Sequence, residues 1–142
     1  MRPTYLAGPI NGRSDVDARA WRAEAVALLA ALDPGTPTLD PMVRDFRGRE
    51  TEAGVAAEIV QGDKADIDRC GAVLLRWDGG GSAGTTMELL YAAERGIPVF
   101  VWDDRPSCET RRPLSPWVTF HARAILSTLR GACAALAGTA RR

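Results

Sequence analysis

The feature that most constrains this chain is the alternation of short apolar runs with longer helical patterns. Runs typical of strands cover residues 4–10, 72–77 and 97–102, and helical patterns cover residues 15–33, 50–70 and 85–96. The run AVLLRW at 72–77 shows no polar alternation, which is typical of a parallel strand that is covered on both faces. Strands that alternate with helices indicate a parallel sheet with helices on both sides. The sequence therefore predicts an α/β fold.

Two further segments extend this pattern. The segment PGTPTLDPM at 34–42 ends the first helix and supplies a short second strand. The segment WVTFHARAILSTLRGACAALAG at 117–138 predicts a short strand or turn followed by a C-terminal helix.

Composition excludes several classes of function. The 142-residue chain has 18 basic and 18 acidic residues, so no net charge attracts a nucleic acid polymer or an anionic membrane. Its three cysteines are odd in number and lack metal-ligand spacing, and no apolar span reaches membrane length. We therefore expect a single domain over residues 1–142 that is cytoplasmic and needs no metal or other cofactor.

The sheet rule selects candidate binding residues. In open parallel sheets, ligands bind beyond the carboxyl ends of the strands, where the strand order reverses. The residues that follow the first strand include Gly8, Ile10, Asn11, Gly12 and Arg13. The residues that follow the second strand include Asp40, Arg44, Asp45, Arg47 and Arg49, and Asp78 and Ser82 follow the third.

Glu88 has two interpretations at this stage. Thr85 and Glu88 match the capping-box spacing, in which the glutamate folds back onto the first turn of a helix. Alternatively, the positive end of the helix keeps Glu88 ionised, as a nucleophilic carboxylate must be. The preceding GGGSAG loop, which ends at Gly84, offers backbone amides that let a substrate approach closely.

An ordered set of motifs supports a family resemblance. The motifs are YLAGPI at the start, Asp63 in DKADIDRCGAVLL, Ser82 six residues before Glu88, MELLYAAERGIPV, and Ser115 in LSPW. Over residues 4–116 this set resembles the nucleoside 2-deoxyribosyltransferase superfamily, which includes the 2'-deoxynucleoside 5'-monophosphate N-glycosidases. The resemblance implies that Glu88 attacks C1' of the sugar, Tyr5 hydrogen-bonds and orients that carboxylate, and Asp63 assists the departing base. Neighbouring carboxylates would raise the pKa of Asp63, which suits a general acid.

Substrate choice within the superfamily depends on a few positions. The resemblance implies that Ser82 and Ser115 contact a 5'-phosphate, with Ser115 supplied by the partner subunit of a homodimer. Pro9 and Asn11 instead match the transferases, which act on nucleosides. Arg13, Arg47 or Arg49 would compensate by binding phosphate, and Asp40 would contact a base or sugar hydroxyl.

These observations predict a Rossmann-like, flavodoxin-type three-layer sandwich with a parallel sheet of about five strands. We expect a homodimeric enzyme that hydrolyses the N-glycosidic bond of a nucleoside 5'-monophosphate. The alternatives are a 2-deoxyribosyltransferase that exchanges bases between nucleosides, and a nucleotide-binding sensor without turnover. The loop GGGSAGTTME also resembles that of the lonely-guy phosphoribohydrolases, although the proline of their PGGxGTxxE motif is absent.

Overall fold

A computed structural model of the protein describes residues 1–140. Its five strands form one sheet in the order β2-β1-β3-β4-β5, and every strand pair is parallel. The strands are β1 (Thr4–Ala7), β2 (Thr38–Leu39), β3 (Ala72–Trp77), β4 (Val99–Asp103) and β5 (Ala124–Leu126). The α-helices are α1 (Asp15–Leu32), α2 (Val55–Arg69), α3 (Ala83–Glu94), α4 (Pro116–His121) and α5 (Leu129–Ala140). This order is that of flavodoxin-type folds and confirms the predicted architecture.

Alternate residues of the strands face two separate cores. Leu6 and Leu74 point to one side, where they pack with side chains of α1 and α5. Tyr5, Val73 and Leu75 point to the other side, where they pack with residues of α2, α3 and α4. Because β1 and β3 are buried on both sides, their sequences are continuously apolar rather than alternating.

Helix α3 begins earlier than the sequence predicts. Ser82 is its N-cap and accepts a hydrogen bond from the backbone nitrogen of Thr85 at 3.3 Å. Thr85 is buried inside the first turn, so it does not cap the helix. The capping-box interpretation is therefore wrong, and Glu88 lies in the second turn rather than the first. Because Ser82 satisfies the free amide at this end, Glu88 is left for another role.

Two other boundaries differ from the prediction. Helix α2 begins at Val55 instead of residue 50, because Gly54 takes a left-handed conformation with φ of 80° just before it. The short strand predicted before the last helix is β5, and the short helix α4, which was not predicted, precedes it. Among the described residues, no helix is long and apolar enough to cross a membrane.

The topology places one crevice at the carboxyl edge of the sheet. From β1 the chain crosses to β2 on one side, and β3 pairs with β1 on the other side. The loops that leave β1 and β3 therefore diverge between these two strands. The predicted binding residues of both loops lie at this edge.

Candidate active site

Three side chains from separate elements converge beneath this edge, and we call them the Glu88 cluster: Tyr5 of β1, Asp63 of α2 and Glu88 of α3. Glu88 and Asp63 both raise the pKa of Tyr5, Tyr5 lowers the pKa of both carboxyls, and the charge of Asp63 raises the pKa of Glu88. The Tyr5 hydroxyl and Glu88 Oε2 are both buried, and neither has a hydrogen-bond partner. Buried polar atoms are nearly always paired in folded proteins, so two such atoms side by side mark a place built for something other than stability.

Burial controls the ionisation of Glu88. The pKa of its carboxyl is raised from 4.5 to about 8, mainly by desolvation and to a smaller extent by the charge of Asp63. The Tyr5 hydroxyl and the charges of Arg22 and Arg44 lower the same pKa by smaller amounts. This direction is opposite to the expectation that the helix terminus keeps Glu88 ionised, because burial disfavours the charged form of the carboxyl. At neutral pH the carboxyl is mostly protonated.

Asp63 also holds its proton more tightly than usual. Burial is the main cause of its raised pKa, and the charge of Asp66 contributes less. This is the direction that a general acid requires, although burial rather than the neighbouring carboxylates dominates. Arg44 Nη2 donates to Asp63 Oδ1 at 2.9 Å and opposes the shift. Arg44 Nη1 lies 2.8 Å from Asp66 Oδ2, so one guanidinium bridges both carboxylates of α2.

Tyr5 remains a hydrogen-bond donor at every relevant pH. Burial, followed by the charges of Glu88 and Asp63, raises the pKa of its phenol. The Tyr5 hydroxyl has no hydrogen-bond partner of good geometry in this structure, although its interaction with Glu88 lowers the pKa of that carboxyl. The hydroxyl is therefore free to donate to Glu88 once that carboxyl is ionised.

A cleft adjoins the Glu88 cluster. Its empty volume is about 470 Å³, and its lining includes Ile10, Asn11, Phe46 and Asp63. Asp63 thus belongs both to the cleft wall and to the cluster. Phe46 offers an apolar ring and Asn11 an amide, which suit a flat ring with polar edges. Asp40 precedes Pro41 and Met42 of the cleft lining, and it caps the turn at Pro41–Val43 by accepting from Met42 N at 2.9 Å.

A second group of charges surrounds the loops after β1 and β3, and we call it the ion-pair network: Arg13, Asp17, Arg76, Asp78 and Asp104. Arg13 Nε donates to Asp78 Oδ2 at 2.9 Å, and its Nη1 lies 3.4 Å from Asp17. Arg76 Nε donates to Asp104 at 2.9 Å and its Nη1 donates to Asp17 at 3.1 Å. Arg13 is therefore already paired with carboxylates.

Arg47 is paired in the same way. Its Nη2 lies 2.6 Å from Asp45 and 2.7 Å from Asp15. Arg13 and Arg47 are thus neutralised by carboxylates in this structure, and Arg49, the third arginine expected at a phosphate site, lies 3.1 Å from Glu52. This arrangement does not favour a dianionic group at the edge of the sheet.

The two glycine-containing loops have specific geometric needs. A Cβ atom at Gly8 would lie only 2.7 Å from the Trp21 ring, so the chain passes too close for any side chain there. Gly12 has a φ of 78°, which other residues rarely adopt. In the second loop, Ser82 caps α3 and also accepts a hydrogen bond from the Thr85 hydroxyl at 3.0 Å. Gly84 lies in the first turn of α3 with open space beside it.

Comparison with known families identifies the chain. The sequence profile described as Nucleoside 2-deoxyribosyltransferase matches residues 4–136. The chain belongs to this family. The match confirms the resemblance drawn from the motifs, and it places the chain among enzymes that act on nucleosides.

Solved structures show the same fold. A conserved protein from Enterococcus faecalis V583 has a TM-score of 0.73 at 18% identity, with 94% of this chain and 95% of that chain covered. A 2-deoxyribosyltransferase from Bacillus psychrosaccharolyticus has a TM-score of 0.69 at 17% identity, with coverages of 91% and 88%. No curated protein sequence matches the chain significantly.

In this family member, Ser115 lies on a different element from the Glu88 cluster. It caps α4 by accepting from Trp117 N at 3.3 Å, and it is exposed. Helix α4 also exposes Trp117 and Phe120, at 64% and 84% of their surface, and α3 exposes Met87 at 70%. The contribution of Ser115 to a neighbouring site therefore stays a prediction.

Sequence reasoning did not single out Arg22, a buried charge of this fold. It is 1% exposed, and its Nη2 donates to the carbonyl of Gly8 at 3.0 Å. A signal was present, because position 22 lies four residues after Ala18 and three before Ala25, on the apolar stripe of α1. Charged residues on such a stripe are buried when their partners come from another element.

Proposed function

We propose that the protein cleaves the N-glycosidic bond of a nucleoside and transfers the 2-deoxyribosyl group to another base. The observation that carries the proposal is the buried, unpartnered carboxylate oxygen of Glu88 beside Tyr5 and Asp63. The family of the chain supports the same reaction class. The whole chain acts as a single catalytic domain.

The reaction proceeds through an ester on Glu88. Ionised Glu88 attacks C1' of the sugar, the C1'–N bond breaks, and the base leaves with a proton from Asp63. A second base then attacks C1', loses a proton to Asp63, and displaces the Glu88 carboxylate. In the reactive form, Asp63 and Glu88 share one proton, which lies on Asp63. The Tyr5 hydroxyl donates a hydrogen bond to the charged Glu88 carboxylate.

Charge favours a nucleoside over a nucleotide as substrate. Arg13 and Arg47 are both paired with carboxylates, and Asp78 is only 5% exposed beside the glycine loop. A 5'-phosphate would have to displace a carboxylate from an arginine, whereas a 5'-hydroxyl would not. The base occupies the cleft beside Asp63, against Phe46 and the amide of Asn11.

One observation favours a second candidate, hydrolysis of a nucleoside 5'-monophosphate. Ser82 accepts two hydrogen bonds from Thr85, which leaves its hydroxyl hydrogen free to donate to an anion. Gly79 and Gly81 have positive φ values, so the backbone of this loop can turn closely around a ligand.

An exposed apolar surface on α3 and α4 supports a homodimer. Trp117, Phe120 and Met87 expose much of their surface on α4 and α3, and Ser115 begins α4. A second copy packed on this face brings Ser115 toward the neighbouring site. Phe120→Asp should shift the protein to a monomer in light scattering, while Val26→Asp on α1 should leave its mass unchanged. A monomeric wild-type protein would contradict this arrangement.

One panel of substrates tests the reaction. The protein is incubated with deoxyribonucleosides, ribonucleosides and their 5'-monophosphates, with and without a second free base, and the bases are followed by chromatography. We expect exchange between deoxyribonucleosides, lost in Glu88→Gln and retained in Glu94→Gln on the same helix. Release of base from monophosphates without exchange would establish the second candidate. Nucleotide binding without any turnover would indicate a sensor.

A further inference from the structure

Arg22 is the largest fully buried side chain of the described residues, and the proposed reaction leaves it without a role. It extends from α1 toward the carboxyl end of β1. Its Nη1 donates to the carbonyl of Ala18 at 2.7 Å, and its Nη2 donates to the carbonyl of Gly8 at 3.0 Å. One guanidinium therefore holds the first turns of α1 and the end of β1 together.

The positive charge of Arg22 is incompletely compensated. Its direct ion-pair partner is Asp40, with Nε 3.3 Å from Oδ1, and the buried Nε forms no hydrogen bond. Asp40 is 32% exposed and therefore partly screened by solvent. A methionine or leucine at this position would avoid the cost of desolvating a cation. Beyond its two hydrogen bonds to Ala18 and Gly8, the positive charge of Arg22 adds little stability to the fold, which points to another use for it.

Arg22 reaches the Gly8 carbonyl, three residues after Tyr5 of the Glu88 cluster, so its charge lies at the β1 end beside that cluster. Burial lowers the pKa of Arg22, and Asp40, Glu88 and Tyr5 oppose that shift. In return, the charge of Arg22 lowers the pKa of Glu88. The other groups that act on Glu88 are Tyr5 from β1, Asp63 from α2 and Arg44 after β2. Arg44 forms ion pairs with Asp63 and Asp66, and these two carboxylates neutralise much of its positive charge.

We propose that Arg22 is a positioning residue for the nucleophile: its buried guanidinium fixes the β1 end at Gly8 and supplies the positive field in which Glu88 ionises. This inference rests on the proposed function, in which Glu88 reacts as a carboxylate. Arg22 does not touch the reacting atoms in this scheme. It acts on them through the charge state of Glu88 and through the Gly8 turn.

The test measures the ionisation of Glu88 directly, without substrate. Glutamate side chains labelled with carbon-13 are titrated by NMR, and Glu88→Gln identifies the signal of interest. Arg22→Gln removes the charge but keeps an amide that can donate to Gly8, and we expect Glu88 to become about tenfold weaker as an acid. Arg22→Lys keeps the charge, so we expect a change of at most about twofold. Circular dichroism and thermal unfolding confirm that each variant is folded.

Two results would overturn the proposal. If Glu88 titrates in folded Arg22→Gln as it does in the wild type, Arg22 does not affect the ionisation of Glu88. If Arg22→Lys changes the titration of Glu88 as much as Arg22→Gln does, Arg22 acts only through its hydrogen bonds and not through its charge. If Arg22→Gln does not fold, Asp40→Asn replaces it, because asparagine retains the cap to Met42 while leaving Arg22 less compensated. Glu88 should then become about threefold stronger as an acid, and an unchanged titration would contradict the inference.

Turnover provides the second readout. If the proposed reaction is found, the acidic limb of the kcat/KM profile should move to higher pH in Arg22→Gln and stay in place in Arg22→Lys. If no turnover is found but the NMR titration moves as expected, the proposed function fails while the electrostatic role of Arg22 stands. The two failures are therefore distinguishable.

Discussion

Two groups of charged side chains lie at the same edge of the sheet, and they differ in how their polar atoms are paired. In the ion-pair network, each arginine contacts two aspartates, and Asp78 also accepts from Gly80 N at 2.8 Å. In the Glu88 cluster, Tyr5 Oη and Glu88 Oε2 are buried without partners. The network holds the loops in place, and the cluster keeps its hydrogen-bonding capacity for a ligand. A fully paired group stabilises a fold, whereas an unpaired buried group costs stability.

The two groups also respond to pH in opposite ways. Arg76 lowers the pKa of Asp17 below its usual 3.8, so the stability from that pair is present above pH 3.8 and is lost as the pH falls further. Burial raises the pKa of Glu88 from 4.5 to about 8, so the folded state loses stability as the pH rises through this range. Single substitutions in the ion-pair network and in the Glu88 cluster test this difference in pH dependence.

The largest effect is expected for Glu88→Gln. We expect turnover to fall by about 10³-fold or more, because glutamine cannot form the ester. We also expect the free energy of unfolding at pH 8 to be about 2 to 4 kcal/mol higher for this variant than for the wild type. The reason is that glutamine does not ionise, whereas at this pH the unfolded wild type gains stability by ionising Glu88. Urea unfolding at pH 4.5 and pH 8 measures this difference.

The direction of the pH effect provides the control. At pH 4.5 the wild type and Glu88→Gln should have similar free energies of unfolding, because Glu88 is protonated when folded. Glu94→Gln, an exposed substitution on the same helix, should show no such pH-dependent gain. If the Glu88→Gln variant is less stable than the wild type at pH 8, the Glu88 carboxylate stabilises the fold, as the charges of the ion-pair network do.

Arg76→Met tests the other side of the comparison. Arg76 is 6% exposed and pairs with Asp17 and Asp104, which are each about one-third exposed. We expect the free energy of unfolding to fall by about 2 to 3 kcal/mol at pH 7, because two carboxylates lose their partner. The loss should shrink below pH 3.8, where Asp17 is protonated in the unfolded chain. A loss that is independent of pH would indicate packing rather than charge.

Tyr5→Phe should separate stability from function within the Glu88 cluster. The substitution removes a hydroxyl that has no partner, so the free energy of unfolding should stay within about 1 kcal/mol of the wild type or increase. Turnover should fall by about 10- to 100-fold, because Glu88 loses the donor that stabilises its charge. Tyr91→Phe provides a comparison, since the exposed Tyr91 hydroxyl donates to Asp68 at 3.0 Å. If Tyr5→Phe and Tyr91→Phe lose equal activity, the Tyr5 hydroxyl does not stabilise the charge of Glu88 in the reaction.

Much of the fold follows from local patterns in the sequence. Strand β3 occupies the predicted residues 72–77, and α1 ends one residue before the predicted boundary. The strand-end rule also located the loops at Gly8–Arg13 and Asp78–Ser82, because the ends of parallel strands share one edge. These features depend on apolar periodicity, which the sequence displays directly.

The errors arose where tertiary burial decides the outcome. Ser82 and Thr85 are both good caps three residues apart, and the burial of Thr85 under the helix makes Ser82 the cap. The helix terminus favours ionised Glu88, but burial from β1 and α2 reverses the sign of the pKa shift. Arg22 escaped notice because its partners, Gly8 and Asp40, come from other parts of the chain. Charge states in a core depend on contacts that no single segment reveals.

Asp78→Asn should give the smallest effect and sharpen the choice of substrate. Asp78 holds Arg13 in the ion-pair network, and asparagine removes the charge while keeping an acceptor for Gly80 N. Arg13 then becomes available to a 5'-phosphate at the edge of the sheet. We expect the ratio of kcat/KM for monophosphates over nucleosides to rise about 3- to 10-fold, which corresponds to about 1 kcal/mol for one partly exposed charge pair. Competition assays with matched nucleoside and monophosphate pairs measure the ratio directly.

The same variant discriminates between the two proposed substrates. Asp33→Asn, at the end of α1, removes an equal charge at a distance from these loops and should leave the ratio unchanged. If monophosphates are the natural substrates, Arg13 already binds phosphate in the wild type, and Asp78→Asn would lower their kcat/KM by loosening Arg13. A falling ratio would therefore favour hydrolysis of monophosphates, because the network would then be part of the binding site rather than only a support for it.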